Sequence, residues 1–336
     1  MAYMESVVPV IIVNWNGRGL LPECLDALCA QTWERLRIIL VDNGSQDGSA
    51  EFVRRNYPDI RVFSLPRNVG FAAANNVALR TVRTPYVALL NNDAIAAPGW
   101  LEALVRELEL NREAGAAASK MLFYDTPDII DRAGDSYTVA GAGLLRGRGR
   151  PSESLKAKEF VFGACAGAAL YRVEMLREIG LFDEDFFLIY EDVDLSFRAQ
   201  LTGYKCVYVP EAEIFHRAGS SIGRDSPISV YYGHRNLEWV YWKNMPSSLI
   251  LKSLLFHLNY DFLSFLYFSA AGLGAPFLRA KRDALRGLPA VLKKRRLVQK
   301  KRRVPDECIW RLLDKERSFS RLGMRRKHIP KEPPKA

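Results

Sequence analysis

Apolar runs alternate with amphipathic stretches from the start of the chain through Leu122. Val7 to Val13 is a β-branched run with no basic leader, about eight apolar residues long, and reads as a buried strand instead of a signal peptide. A helical stretch follows from Leu20 to Ala30, then a second strand from Arg37 to Val41. Ser49 to Asn56 reads as a helix closed by Pro58, and Ile60 to Leu65 as a third strand. Phe71 to Arg80 predicts a helix and Tyr86 to Leu90 a fourth strand. Trp100 to Leu110 is amphipathic, apolar at Leu101, Leu104, Val105 and Leu108, and Ala114 to Leu122 reads as a fifth strand. Strands alternating with helices of this size predict an α/β fold around a mostly parallel, doubly wound sheet.

The pattern then loosens. Gly and Arg dominate Gly141 to Arg150, which reads as a mobile surface loop. A small-residue segment (Gly163 to Ala169), a helix (Arg172 to Ile179) and the aromatic run LFDEDFFLIY come next. A helix from Glu191 to Leu201 stops at Gly203, and Lys205 to Val209 and Glu213 to His216 read as two short strands. From about Ile228 the chain is helical, Leu/Phe-rich and then basic. Phe262 to Leu278 has no charged residue over 17 positions, the bare minimum for a span, but Gly272, Gly274 and Pro276 interrupt its end. A membrane-surface helix pair is the first reading, a dimer interface or ordinary core the second, and a full span the last.

Composition sharpens this picture. With 49% apolar and 26% charged residues, the 336-residue chain has the makings of a sizeable core. Its net charge of +10 would raise nucleic acid as a partner, but the charge is segregated. Arg279 to Ala336 holds 21 Lys+Arg against 6 Asp+Glu, so the rest of the chain is net −5. That argues against nucleic acid, and Lys/Arg clusters beside an apolar helical segment read as anionic-lipid binding. Five cysteines without a C-x-x-C pair fit a reducing compartment, not a disulfide framework or zinc ribbon.

Polar clusters sit where the strands end: Asn14-Trp15-Asn16-Gly17, Asp42-Asn43-Gly44-Ser45, Arg67-Asn68-Val69-Gly70 and Asn91-Asn92-Asp93. One cluster could be turn chemistry. Four on the edge where open α/β sheets bind ligands point to one shared site. Neither a G-x-x-x-x-G-K-[ST] loop nor a G-x-G-x-x-G bridge between first strand and helix is present, which excludes the commonest nucleotide-binding loops. Asp93, following a long apolar strand, has the character of a ligand to a hard divalent cation. Downstream, Glu191, Asp192 and Asp194 open a helix behind an aromatic run. They serve either as N-terminal charge compensation or as a general base in a walled cleft.

Together these strings resemble the inverting, GT-A-fold glycosyltransferases of family 2, over roughly residues 7 to 236, and most closely the rhamnosyltransferase-like branch. The matching strings are VIIVNWNG, VDNGSQDGS, PRNVGFAAANN, LLNNDA, FGACAGAALYRVEML, GLFDEDFFLIYEDVDLSFRAQLTGY and HRAGSS, in the family's order. The resemblance implies a nucleotide-sugar-binding half (1–122) and an acceptor-binding and catalytic half of the same domain (123–227), to which the apolar and charge pattern adds a helical, basic, membrane-associated region (228–336). It implies that Asp42 accepts the imide N–H of a uracil or thymine, that Val13 and Asn14 shape the base pocket, and that Arg67, Asn68, Asn91 and Asn92 border the nucleotide. Asp93 takes the last position of the family's D-x-D motif and His216 completes the shell of a Mg²⁺ or Mn²⁺ ion. Asn91 stands where the fullest motif has Asp, one charge fewer. Asp192 becomes the general base, with Glu191 and Asp194 orienting the acceptor or the base's loop.

The implied partners are a nucleoside diphosphate sugar donor, a glycan or polyprenyl-diphosphate-linked acceptor and an anionic membrane, with a homo-oligomer left open. The implied location is the cytoplasmic face of the cell membrane. Two alternatives stand beside this reading. An inactive membrane scaffold would have no physical need for Asp42, Asp93, Asp192 and His216 together. A nucleotidyltransferase would need a Gly/Arg/Lys-rich triphosphate loop, for which GRG at Gly17 to Gly19 is slight.

Overall fold

The computed structural model describes residues 7–218 and 226–316. In chain order the elements are β1 (Val8–Asn14), α1 (Leu21–Cys29), β2 (Leu36–Asp42), α2 (Ser49–Asn56), β3 (Arg61–Ser64), α3 (Phe71–Leu79), β4 (Tyr86–Asn91), β5 (Ala94–Ala96), α4 (Trp100–Leu110) and β6 (Ala114–Phe123). Then come β7 (Ile130–Ala133), β8 (Asp135–Thr138), β9 (Gly143–Leu145), β10 (Glu159–Val161), β11 (Ala168–Arg172), α5 (Val173–Ile179), α6 (Glu191–Leu201) and β12 (Lys205–His216). Finally come α7 (Pro227–Asn244), α8 (Ser247–Ala270), α9 (Gly274–Lys301), α10 (Asp306–Leu312) and β13 (Leu313–Asp314).

The main sheet runs β10-β12-β6-β11-β4-β1-β2-β3, with β5 on β12 and β7 on β6. Strand β1 is apolar throughout because both sheet faces are covered, which is the signature of buried parallel strands. One core lies under α1 and α4, built on Val10, Ile12, Leu25, Trp100 and Leu104, and the other under α3, α5 and α6. β3-β2-β1-β4 run parallel to one another, and β12 runs parallel to β6. β11 enters antiparallel to both β4 and β6, and that reversal builds the site. It brings the residues before β11 to the carboxyl end of β4, where Asn91 N–H donates to Gly167 O at 2.8 Å.

Two expectations change. Gly141 to Arg150 is not a mobile surface loop: it contains β9, Ala142 is buried against α7 and its neighbours, and Leu144 is buried as well. Glycine there serves close packing, not mobility, since a Cβ on Gly141 would stand 2.9 Å from the Tyr241 ring. The two short strands expected after Gly203 are one strand, β12, whose register against β6 shifts between Val209 and Glu213. Pro210 lies in the shifted stretch, where its missing N–H costs no ladder bond. The expected 122/123 division falls inside β6, and α7 begins at Pro227.

Candidate active site

Each parallel strand delivers a polar group at its carboxyl end. Asn14 is fully buried; its amide nitrogen donates to Asp42 Oδ1 (3.4 Å) and Ser45 Oγ (3.3 Å), and its Oδ1 accepts from Asn92 Nδ2 (2.7 Å). A Cβ at Gly17 would collide with the Asn14 and Asn92 amides, which accounts for the glycine. Val13 is half-buried beside them, paired with Val41 and Asn91. Asp42 also accepts the Ser45 N–H (3.3 Å), and with two oxygens its carboxylate keeps further lone-pair capacity.

Asn68 also builds the loop it stands on. Its Oδ1 accepts from Asn43 Nδ2 (3.0 Å) and Gly70 N–H (2.9 Å), and Asn43 Oδ1 accepts from Val69 N–H (2.9 Å). These two amides build the loop, and Arg67 is left exposed on its outside. Asn43 escaped sequence reasoning because a turn asparagine looks alike whether or not it organises a second loop.

The pairing of β12 with β5 sets His216 opposite Ala94 and therefore beside Asp93. His216 Nε2 and Asp93 Oδ1 face each other at 3.4 Å, and His216 Nδ1 donates to Asp131 Oδ2 at 2.8 Å. Burial works against charge on His216, yet its bonds to Asp131 and Asp93 push it up to about 9. Burial likewise opposes the Asp131 charge, but His216 and the Arg148 guanidinium at 2.8 Å hold it below the usual carboxylate range. An imidazole steadied by one carboxylate and aimed beside another is the arrangement of metal-binding histidines. The 3.4 Å spacing is close to the roughly 3 Å between neighbouring ligand atoms on one octahedral ion. The donor set therefore fits a hard or borderline divalent cation. Asp131 was not anticipated; an isolated Asp on a short strand carries no motif.

A second acidic group is different in kind. Glu238, His257 and Asp261 converge between α7 and α8, but the Lys281 ammonium already occupies their midst, on Glu238 and 2.5 Å from Asp261 Oδ1.

The antiparallel entry of β11 also fixes Asp192. Ala166 N–H donates to Asp192 Oδ2 (3.3 Å), one residue from the Gly167 that meets Asn91, whose amide a Cβ on Gly167 would approach to 2.9 Å. Asp192 Oδ1 accepts from Val193 N–H (2.8 Å), and the Arg132 guanidinium lies 3.7 Å from Oδ2. Glu191 is buried, and burial together with the Asp192 charge raises it well above the ordinary glutamate value. Asp194 is fully buried and turned away: it accepts from Arg198 Nε (2.9 Å), Lys243 Nζ (3.0 Å) and Asn244 Nδ2 (2.8 Å). Of the two expected parts for Asp194, orienting the acceptor or the base's loop, the first gives way, since its carboxylate is engaged by Arg198 of α6 and by Lys243 and Asn244 of α7.

The loop that delivers Asp192 is strained. Phe187, Ile189 and Tyr190 all have φ between 64° and 76°, costly for residues with a Cβ. What holds them is α7. Asn236, fully buried, directs its amide at the carbonyls of Phe186 (2.9 Å), Leu188 (2.8 Å) and Ile189 (2.6 Å). Arg235 donates to Asp185 O and Phe186 O, with Trp239 4.2 Å away on its face. Phe187 O in turn accepts from Phe71 N–H (2.7 Å) at the start of α3, tying this loop to the donor-side loop. Asn236→Ala is expected to lower kcat by up to about 10²-fold with donor KM little changed, because misplacing a catalytic group costs rate more than binding. Steady-state kinetics below the variant's melting temperature checks this, and an unchanged kcat would remove the clamp from the mechanism.

Comparison with known proteins now adds the class. Among solved structures, the chain superposes on GalNAc-T7 with UDP, GalNAc and Mn²⁺ (TM-score 0.58, 18% identity, 71% of this chain and 48% of that one). It also superposes on the mannosyltransferase PcManGT of Pyrobaculum calidifontis with GDP-Man and Mn²⁺ (TM-score 0.53, 18% identity, 88% and 86%). The architecture is GT-A. Residues 10–180 match the model of Glycosyl transferase family 2, just over half the chain, and the protein belongs to that family and is a glycosyltransferase. The N-acetylglucosaminyl-diphospho-decaprenol L-rhamnosyltransferase of Mycobacterium tuberculosis is 28% identical over 268 residues, 71% of this chain and 84% of that protein. The putative glycosyltransferase EpsE of Bacillus subtilis is 25% identical over 244 residues, 69% and 83%. The matched family segment ends before α6, so the roles of Asp192 and His216 rest on their geometry.

Proposed function

We propose that the protein is a metal-dependent inverting glycosyltransferase that moves a sugar, rhamnose from dTDP-rhamnose in the first instance, to a hydroxyl of a glycan or polyprenyl-diphosphate-linked acceptor in cell-surface polysaccharide synthesis. It would work in the cytoplasm, peripheral to the inner face of the membrane. The observation that carries this reading is the gathering of Asp42, Asp93, His216 and Asp192 by the strand ends and the β11 reversal. The mycobacterial relative supports the choice of sugar and the lipid-linked acceptor.

Asp42 would hold the base by its imide N–H, with Val13 and Asn14 forming the pocket wall. Asp93 and His216 would hold Mg²⁺ or Mn²⁺, which when bound supplies positive charge against the donor diphosphate. Asp192 would take the proton from the acceptor hydroxyl, and the oxygen attacks the anomeric carbon as the nucleoside diphosphate leaves from the opposite face. One in-line displacement inverts the configuration.

A donor panel of dTDP-rhamnose, UDP-hexoses and GDP-sugars tests the proposal. Nucleoside diphosphate release from one donor, dependent on Mg²⁺ or Mn²⁺ and abolished by chelation, is expected. Pyrophosphate release would mean nucleotidyl transfer, and inertness toward every donor would mean a scaffold.

A further inference from the structure

Helices α8 and α9 present a surface unlike the rest of the protein. The side of α8 facing the body is marked by Ser253, His257, Tyr260 and Ser264, three or four residues apart and all buried. The other side is apolar and open: Leu251 is 81% exposed, Leu255 74%, Leu258 53%, Phe262 60% and Leu266 48%. At 3.6 residues per turn these five fall within about 80° of one another, a single stripe along the helix. Along α9, Arg279, Arg282, Arg286, Lys293, Arg296 and Lys300 are exposed within about 100° of one another.

No exposed residue between Ser247 and Val304 is acidic. The two carboxylates in that stretch, Asp261 and Asp283, are partly buried; one is engaged by Lys281, the other by Tyr231 and by Arg279, Arg282 and Arg286, whose three cations exceed its single charge. An outward leucine–phenylalanine stripe on α8 and an outward cation stripe on α9, two helices tied through Asp261 and Lys281, together complement an anionic lipid surface. A second copy would not suit, because apposing two such faces sets cation against cation.

The inward side of α8 decides between lying and crossing. His257 Nε2 meets Glu238 of α7 at 3.1 Å, and Asp261 meets Lys281 of α9 at 2.5 Å. A helix of 24 residues whose most apolar 18-residue window has a mean hydropathy of 1.2 is long enough to span, but spanning would break both ties and carry His257 and Asp261 into hydrocarbon. We infer that α8 lies flat in an anionic membrane surface, its leucine–phenylalanine face in the acyl boundary and the α9 cations against the headgroups.

This deepens the membrane part of the proposed function, while the surface argument stands apart from the chemistry. The test is flotation of the full chain with vesicles of phosphatidylcholine alone or with about one-third phosphatidylglycerol. Binding to the anionic vesicles, weakened at about 0.5 M salt, is expected. Leu255→Glu/Phe262→Glu should abolish it. Lys293→Ser/Arg296→Ser/Lys300→Ser should weaken it by about 10²-fold, near fivefold for each cation lost. Wild-type protein that stays unbound would overturn the inference. So would a concentration-dependent dimer that the Glu variant dissolves without any vesicle binding. Resistance to alkaline carbonate would mean a span instead. Both variants should release nucleoside diphosphate in vesicle-free buffer at the wild-type rate, so a loss of lipid binding stays distinguishable from a failure of the glycosyltransferase reading.

Discussion

Asp192→Asn is expected to lower turnover by about 10²–10⁴, the usual cost of losing a positioned general base, whereas Glu191→Gln should leave most activity intact. The two neighbours differ in environment, not in residue type. Asp192 has one oxygen on Val193 N–H and the other near Ala166 N–H and the Arg132 guanidinium. Glu191 is buried, and burial first, then the Asp192 charge, raises it well above the glutamate norm. Burial thus favours the neutral form of Glu191, which glutamine imitates in shape and charge. Asparagine at 192 removes the only function the base has.

The same asymmetry gives a pH test. A carboxyl whose folded pKa lies above its unfolded value adds stability at low pH, and that contribution is lost as pH rises through the folded value. Glu191→Gln has no such group, so its melting temperature should gain on the wild type as pH rises. Inactive Glu191→Gln beside active Asp192→Asn would exchange the two roles.

The legible parts of this protein are those where one segment carries its own pattern. The β-branched run of β1 and the i, i+3, i+4 apolar spacing of α4 specify their elements locally, and the strand-end clusters mark the binding edge because β-α alternation fixes which edge that is. Asp93 and His216 could be singled out by motif, but their meeting depends on β5 pairing with β12, a three-residue strand that leaves no periodic trace. Asp131 and Arg132 sit on β7 and reach His216 and Asp192 only through register against β6. Asn236 is more hidden still: its three carbonyl partners lie about fifty residues away, on a loop whose strain sequence does not display.

The basic C-terminal stretch shows the same limit. Its charge suggested a single task, yet Lys281, Lys294 and Arg295 are internal ties, to Glu238 and Asp261, to Asp183 and Asp185, and to the carbonyls of Trp242 and Met245. Within α9, the outward cations remain for a partner.

Asp194→Ala is expected to destabilise the fold by about 3 kcal/mol, with kcat spared where the variant stays folded. Removing one member of a buried ion pair typically costs about 3–5 kcal/mol, because the partner is left charged and dry. The lower end applies here, since Lys243 keeps Asp183 at 2.6 Å and Arg198 keeps the carbonyls of Ile179, Gly180 and Leu181. Burial opposes the Asp194 charge, but Lys243 and then Arg198 outweigh it and hold the carboxyl below its ordinary value. A depressed folded pKa means that the stabilisation is present above the unfolded value and lost as pH falls through the folded one. The deficit of Asp194→Ala should therefore be largest near neutrality and shrink in acid, where wild-type Asp194 is protonated too. Denaturant midpoints across pH measure this directly. A variant with wild-type stability and a raised acceptor KM would return Asp194 to the cleft; a variant that melts early and turns over normally when folded assigns it to the joint between α6 and α7, the same joint through which the C-terminal helices hold the catalytic loop in place.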